Sequence, residues 1–170
     1  MSLQQHNIPP VYDECSKILI LGSFPSVASR AGQFFYHHKQ NRFWAVLAAV
    51  VQQPVPVSVP EKKDFLHRAG IALWDVIASC EITGSSDSSI RQVTVNPVGQ
   101  ILSACPIQAI FCNGATAAAL YRRYLLANTK RAAQQLPSTS PANASWSLAR
   151  LTEAWQTAIG PILFAEKPAI

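Results

Sequence analysis

The chain has 170 residues, 49% of them apolar and 14% charged, with four cysteines and a formal charge of +5. That length suits a single domain over 1–170, able to hide roughly two thirds of the surface of its unfolded chain, and the composition excludes disorder. No apolar run nears the roughly 18 residues of a membrane span, and residues 1–10 lack the basic and apolar regions of a secretory signal, so a soluble, cytoplasmic, non-secreted protein is expected.

Residues 1–14 carry no periodic pattern and are expected to be an N-terminal extension. The apolar run 18–21 predicts a first buried strand, and 41–51, apolar at Phe43, Trp44, Val46, Leu47 and Val50, predicts a helix. Residues 52–60 hold three prolines and read as loop. A second helix opens near Pro60 and stops at Gly70, ahead of a buried strand over 71–77 that carries one carboxylate, Asp75. The polar stretch 83–89 is a loop, and a short helix lies between Pro97 and Pro106. A third strand over 109–112 ends in Asn113-Gly114 and leads into an alanine-rich helix over 115–126. A fourth strand precedes Leu136, and a last helix covers about 145–159.

Strands separated by helices imply an α/β protein with three layers, α/β/α, around a mostly parallel four-stranded sheet. In such a sheet Gly22 to Ser26, Asp75, Asn113-Gly114 and Ser138 to Asn143 converge on the carboxyl edge of the strands, where these folds bind ligands. The excess of 14 Lys and Arg over 9 Asp and Glu mildly favours a polyanionic partner. Cys15, Cys80, Cys105 and Cys112 form no CxxC pair, which speaks for reduced structural thiols and against a zinc ribbon. The adjacent His37 and His38 lack metal-ligand spacing. No metal and no cofactor are expected.

The ordered blocks Gly22-Ser23-Phe24-Pro25-Ser26, His38-Lys39-Gln40-Asn41-Arg42-Phe43-Trp44, Leu73-Trp74-Asp75-Val76, Cys112-Asn113-Gly114 and 136–143 resemble the uracil-DNA glycosylase superfamily, nearest to its hypoxanthine (deoxyinosine) glycosylase branch. The resemblance covers about 17–160. It implies a monofunctional enzyme that flips a deaminated base, hypoxanthine or uracil, out of DNA and hydrolyses its N-glycosidic bond, leaving an abasic site. In better-known branches an Asp or Asn in the first block positions the attacking water. Phe24 stands there in this chain. The resemblance moves that role to Asn41, whose amide oxygen can orient water but cannot take its proton.

Asn113 is the second catalytic candidate, as a donor to the departing base; a bare helix cap is the competing reading. The expected base-binding residues are Phe24, Phe35, Tyr36, Asp75 and Asn143, with Asp75 either accepting from a ring N–H or engaged in a cap or ion pair. Ser23, Ser26, Lys39, Arg42, Ser138, Thr139 and Ser140 are the expected phosphate contacts. No lysine stands out as a Schiff-base nucleophile. The expected partner is DNA carrying deaminated bases, bound by a monomer. Two other classes stay open: a small-molecule α/β hydrolase such as a nucleosidase, and an inactive nucleic-acid-binding relative.

Overall fold

The computed structural model describes residues 3–165. In chain order its elements are β1 (Leu3–Gln5), β2 (Ile18–Gly22), α1 (Val27–Gly32), α2 (Phe43–Val51), α3 (Val59–Ala69), β3 (Ile71–Asp75), β4 (Ile77–Glu81), β5 (Arg91–Val95), α4 (Gly99–Ala104), β6 (Ala109–Asn113), α5 (Ala115–Tyr124), α6 (Leu126–Thr129), β7 (Ala133–Leu136) and α7 (Leu148–Leu163).

A four-stranded parallel sheet runs in the order β3-β2-β6-β7. Every residue of β2 and β3 is buried, which explains why both read as continuous apolar runs rather than alternating ones. Helix α7 packs on β2 and β7, α5 on β6 and β7, and α3 on β3, so the expected three-layer α/β/α arrangement is present. The core beside β2 is aromatic: Phe43 meets Trp44 and Trp155 edge to face, with ring centroids 4.9 and 5.9 Å apart. Burying each such ring contributes on the order of 2–3 kcal/mol.

Helix starts follow local chemistry. Ser58 caps α3 by accepting from the Glu61 N–H, while Glu61 reaches back to the N–H of Val57. Gly70, at φ 77°, closes that helix in a conformation costly for residues with a Cβ.

One expectation fails. The strand foreseen over 71–77 is two strands, because the chain leaves the parallel sheet after Asp75 and β4 enters a separate antiparallel sheet of order β1-β4-β5. Asn96 clamps this bend, its side chain donating to the carbonyls of Asp75 (2.9 Å) and Ile77 (3.2 Å). Residues 3–14 pack against the domain: β1 pairs with β4, Val11 bridges to Leu73, and Ile8 and Val11 are buried.

Candidate active site

At the carboxyl ends of the parallel strands lies a cavity of about 320 Å³. That is within the roughly 300–1,000 Å³ of small-ligand sites. The segment after β2 supplies Gly22, Ser23, Phe24 and Ser26, the turn before α2 supplies Phe35, Tyr36, His38 and Asn41, and β3 and β6 end in Asp75 and Asn113. The segment after β7 adds Ser138, Thr139 and Ser140. The two expected catalytic residues therefore share one cavity.

Thr139 joins them. Asn113 Nδ2 donates to Thr139 Oγ1 at 2.9 Å, and Thr139 Oγ1 donates onward to Asn41 Oδ1 at 2.9 Å. The Thr139 N–H returns to Asn113 Oδ1 at 3.0 Å. Asn113 is thus committed to this network rather than to the N-terminus of α5, where no side chain caps. Because the Phe43 N–H also donates to Asn41 Oδ1 (3.0 Å), both lone pairs of that oxygen are occupied. The expected use of the Asn41 oxygen to orient water is corrected on this ground. What Asn41 retains toward the cavity is its NH₂, for which no described residue acts as acceptor.

The other side of the cavity is made by β2 and β3 in register, with Gly22 opposite Asp75. A Cβ on Gly22 would lie 2.4 Å from Asp75 Oδ1 and 2.9 Å from the Tyr36 hydroxyl, so only glycine admits both polar groups there. Asp75 Oδ2 and the Tyr36 hydroxyl are buried without hydrogen-bond partners among the described residues. Burial, aided by the nearby Asp87 charge, pushes the Asp75 carboxyl up to about 7. Burial also raises the Tyr36 phenol and lowers His6, whose Nε2 lies 3.9 Å from Asp75 Oδ2. With desolvation disfavouring charge on both, His6 and Asp75 do not form a strong ion pair. Of the two readings left open for Asp75, neither a helix cap nor an arginine pair is realised: the acid is kept at the cavity without a hydrogen bond to Oδ2.

Phe24 forms wall, its ring edge-on to His6 at 5.5 Å and lying under Arg30 at 5.2 Å. Tyr36 stacks on Phe43 at 4.0 Å and sits at φ 51°, a left-handed conformation that costs about 1 kcal/mol or more in a residue of this bulk. Phe35 is buried beside Phe34.

Several expected contacts are placed differently. Asn143 does not line this cavity but an adjoining hollow with Ser138, Ser140 and Trp146, where it donates to the Ser138 carbonyl. Thr139 is fully buried and cannot reach a phosphate. The Arg42 guanidinium donates to the carbonyls of Ser140 (3.2 Å), Asn143 (3.0 Å) and Trp146, and so shapes the 138–146 loop. Ser26 caps α1 through the Ser29 N–H. Ser138 and Ser140 accept from the N–H groups of Ser140 and Ala142. Ser23 donates to Asp87 Oδ1 at 3.1 Å. Lys39 is exposed and outside the cavity lining.

Asp87 is the residue that sequence reading missed. It belongs to the loop over 83–89, which is tied down by the Ser85 Oγ bond from the Val27 N–H, the Gly84 carbonyl bond from Arg30 and the Asp87 bond from Ser23. Asp87 lines both hollows. Partial desolvation raises its carboxyl, while the Ser23 and Thr116 hydroxyls favour its charged form. Only the loop's position after a strand-rich stretch hinted at it.

A family model described as the uracil DNA glycosylase superfamily matches residues 9–159. The chain is 32% identical to a hypoxanthine DNA glycosylase of Methanosarcina acetivorans over 153 residues, covering 89% of this chain and 96% of that one. It is 29% identical to a hypoxanthine DNA glycosylase of Methanosarcina barkeri over 114 residues, 66% of this chain and 72% of that one. The solution NMR structure of a candidate uracil DNA glycosylase from M. acetivorans superposes with a TM-score of 0.77 at 31% identity, covering 92% of this chain and 96% of that one. With nearly the whole described fold inside the family match, the chain belongs to the uracil DNA glycosylase superfamily.

Proposed function

We propose that this DNA glycosylase removes a deaminated base, hypoxanthine foremost and uracil second, by plain hydrolysis, and leaves an abasic site. The observation that carries the reading is the pair of neutral amides, Asn41 and Asn113, linked through Thr139 at one cavity that also holds the Asp75 carboxyl, whose Oδ2 has no hydrogen-bond partner among the described residues. Two of the relatives above bear the name hypoxanthine DNA glycosylase.

The chemistry fits this equipment. The nucleotide leaves the duplex at a cost of a few kcal/mol, repaid by contacts to the extruded base. A hypoxanthine ring presents an N–H beside a carbonyl, and uracil does the same. A carboxyl near half protonation at neutral pH accepts from such an N–H and, when protonated, donates to the carbonyl. Phe24, Phe35 and Tyr36 supply ring surface for the base. The transition state resembles an oxocarbenium sugar, so charge gathers on the departing base. The free NH₂ of Asn41 is a preorganised donor for that charge, in a class of interaction worth about 3 kcal/mol per donor. Asn113 and Thr139 polarise Asn41 from behind. No lysine lines the cavity among the described residues, in keeping with hydrolysis rather than a Schiff-base route.

Duplexes carrying one deoxyinosine, deoxyuridine or deoxyxanthosine, incubated with the protein and then treated with alkali, should break at the lesion and only after alkali. Intact strands for all three, or activity on free nucleosides alone, would overturn the reading.

A further inference from the structure

The bonding of Asn41 leaves its oxygen no lone pair to accept from the attacking water or take its proton. Four titratable residues line the cavity: Tyr36, His38, Asp75 and Asp87. The Tyr36 phenol is buried and raised, and so keeps its proton. His38 Nδ1 is engaged by the Gln40 N–H at 3.1 Å. Asp75 lies buried beside Gly22 and Tyr36 and is taken up by the edge of the base in the reading above.

Asp87 differs in its exposure and in its hydroxyl donors, although partial desolvation raises its carboxyl too. It keeps more than a third of its surface exposed and lines both the main cavity and the hollow that also holds Pro137, Ser138 and Ser140. Ser23 and Thr116 take two of the roughly four lone-pair sites of the carboxylate, so sites for water remain.

We infer that Asp87 is the catalytic carboxylate for the attacking water, orienting it toward the sugar carbon and taking its proton. This rests on the glycosylase reading given above. In the step, the C1′–N bond breaks and its electron pair leaves with the base. The water oxygen bonds to C1′, one water proton passes to Asp87 and then to solvent, and the departed base is protonated from solvent. The negative charge of Asp87 also stabilises the cationic sugar as it forms.

Asp87→Asn is the decisive variant, because the amide oxygen can still accept from Ser23 and Thr116 while the charge and the basic site are gone. Single-turnover release of hypoxanthine should slow by about 10²-fold or more. Affinity for an uncleaved duplex, read by fluorescence anisotropy, should stay level or tighten, since a negative charge near phosphates is removed. The melting temperature should be unchanged. Asp87→Ala, which also loses the tethers, should be as slow and melt lower. Release by Asp87→Asn within three-fold of wild type would overturn the assignment, and so would a rate loss matched by an equal loss of DNA affinity, which marks a tether. Failure of the wild-type protein to release any lesion base is a different result: it overturns the glycosylase reading itself, and this assignment with it.

Discussion

Asn113 holds Thr139 at two points, donating to its hydroxyl at 2.9 Å and accepting from its backbone N–H at 3.0 Å. This pairing fixes which way the threonine hydroxyl points, and hence which end of Asn41 is left for chemistry.

Asn41→Asp separates the two ends of that amide. The aspartate can still accept from Phe43 and Thr139 but has no NH₂. Its single-turnover rate should fall about as far as that of Asn41→Ala, some 10²-fold, the usual loss for one preorganised donor. A near wild-type rate for the aspartate would mean that the oxygen, not the nitrogen, does the work.

Thr139→Val removes a fully buried hydroxyl while keeping the shape, so Asn113 Nδ2 and Asn41 Oδ1 each lose a partner. Chemical denaturation should show a loss of about 1–3 kcal/mol. Thr139→Ser, which keeps the hydroxyl, should lose about 1 kcal/mol for the missing methyl and retain activity. Equal stability of the valine variant and wild type would remove Thr139 from its linking role.

Gly22→Ala drives a methyl to 2.4 Å from Asp75 Oδ1 and 2.9 Å from the Tyr36 hydroxyl. Overpacking of this kind costs about 1–3 kcal/mol. Combining it with Asp75→Ala and Tyr36→Phe should recover part of that loss, a non-additivity visible in thermal melts.

The parallel sheet was legible in this sequence because β2, β3 and β6 are buried on both faces and read as apolar runs bounded by polar ends. The small antiparallel sheet was not, because β1 has three residues and β5 is largely exposed, so neither carries a strong pattern. The same contrast holds at the site. Asn41, Asp75 and Asn113 sit at strand ends or beside a helix start, where chain order gives position. Asp87 reaches the site through a long-range bond from Ser23, and Asn96 holds the bend after Asp75 in the same way, neither of which local spacing encodes. Arg42 shows the same limit: its charge pointed outward to phosphate, and its bonds to three loop carbonyls are long-range ones that no local spacing encodes.

Asp75 makes stability depend on pH. Its carboxyl is raised from 3.8 to about 7 in the folded protein, so the native state binds the proton more tightly than the unfolded chain does. That contribution is complete below about pH 4 and is lost as pH rises through 7. Asp75→Asn lacks the titration, so relative to wild type it should gain stability between pH 5 and pH 8 in denaturant titrations. A constant difference across that range would show that the carboxyl is ordinary.

Leu136 pairs in register with Asn113, and Thr139 comes three residues later, with the Pro137 carbonyl held by Trp155 Nε1 at 2.9 Å between them. The connector thus works as a ruler cut to length. One residue more between Leu136 and Thr139 would leave sheet and helices standing yet carry the hydroxyl past both asparagines, giving an enzyme that folds and binds but has lost its timing.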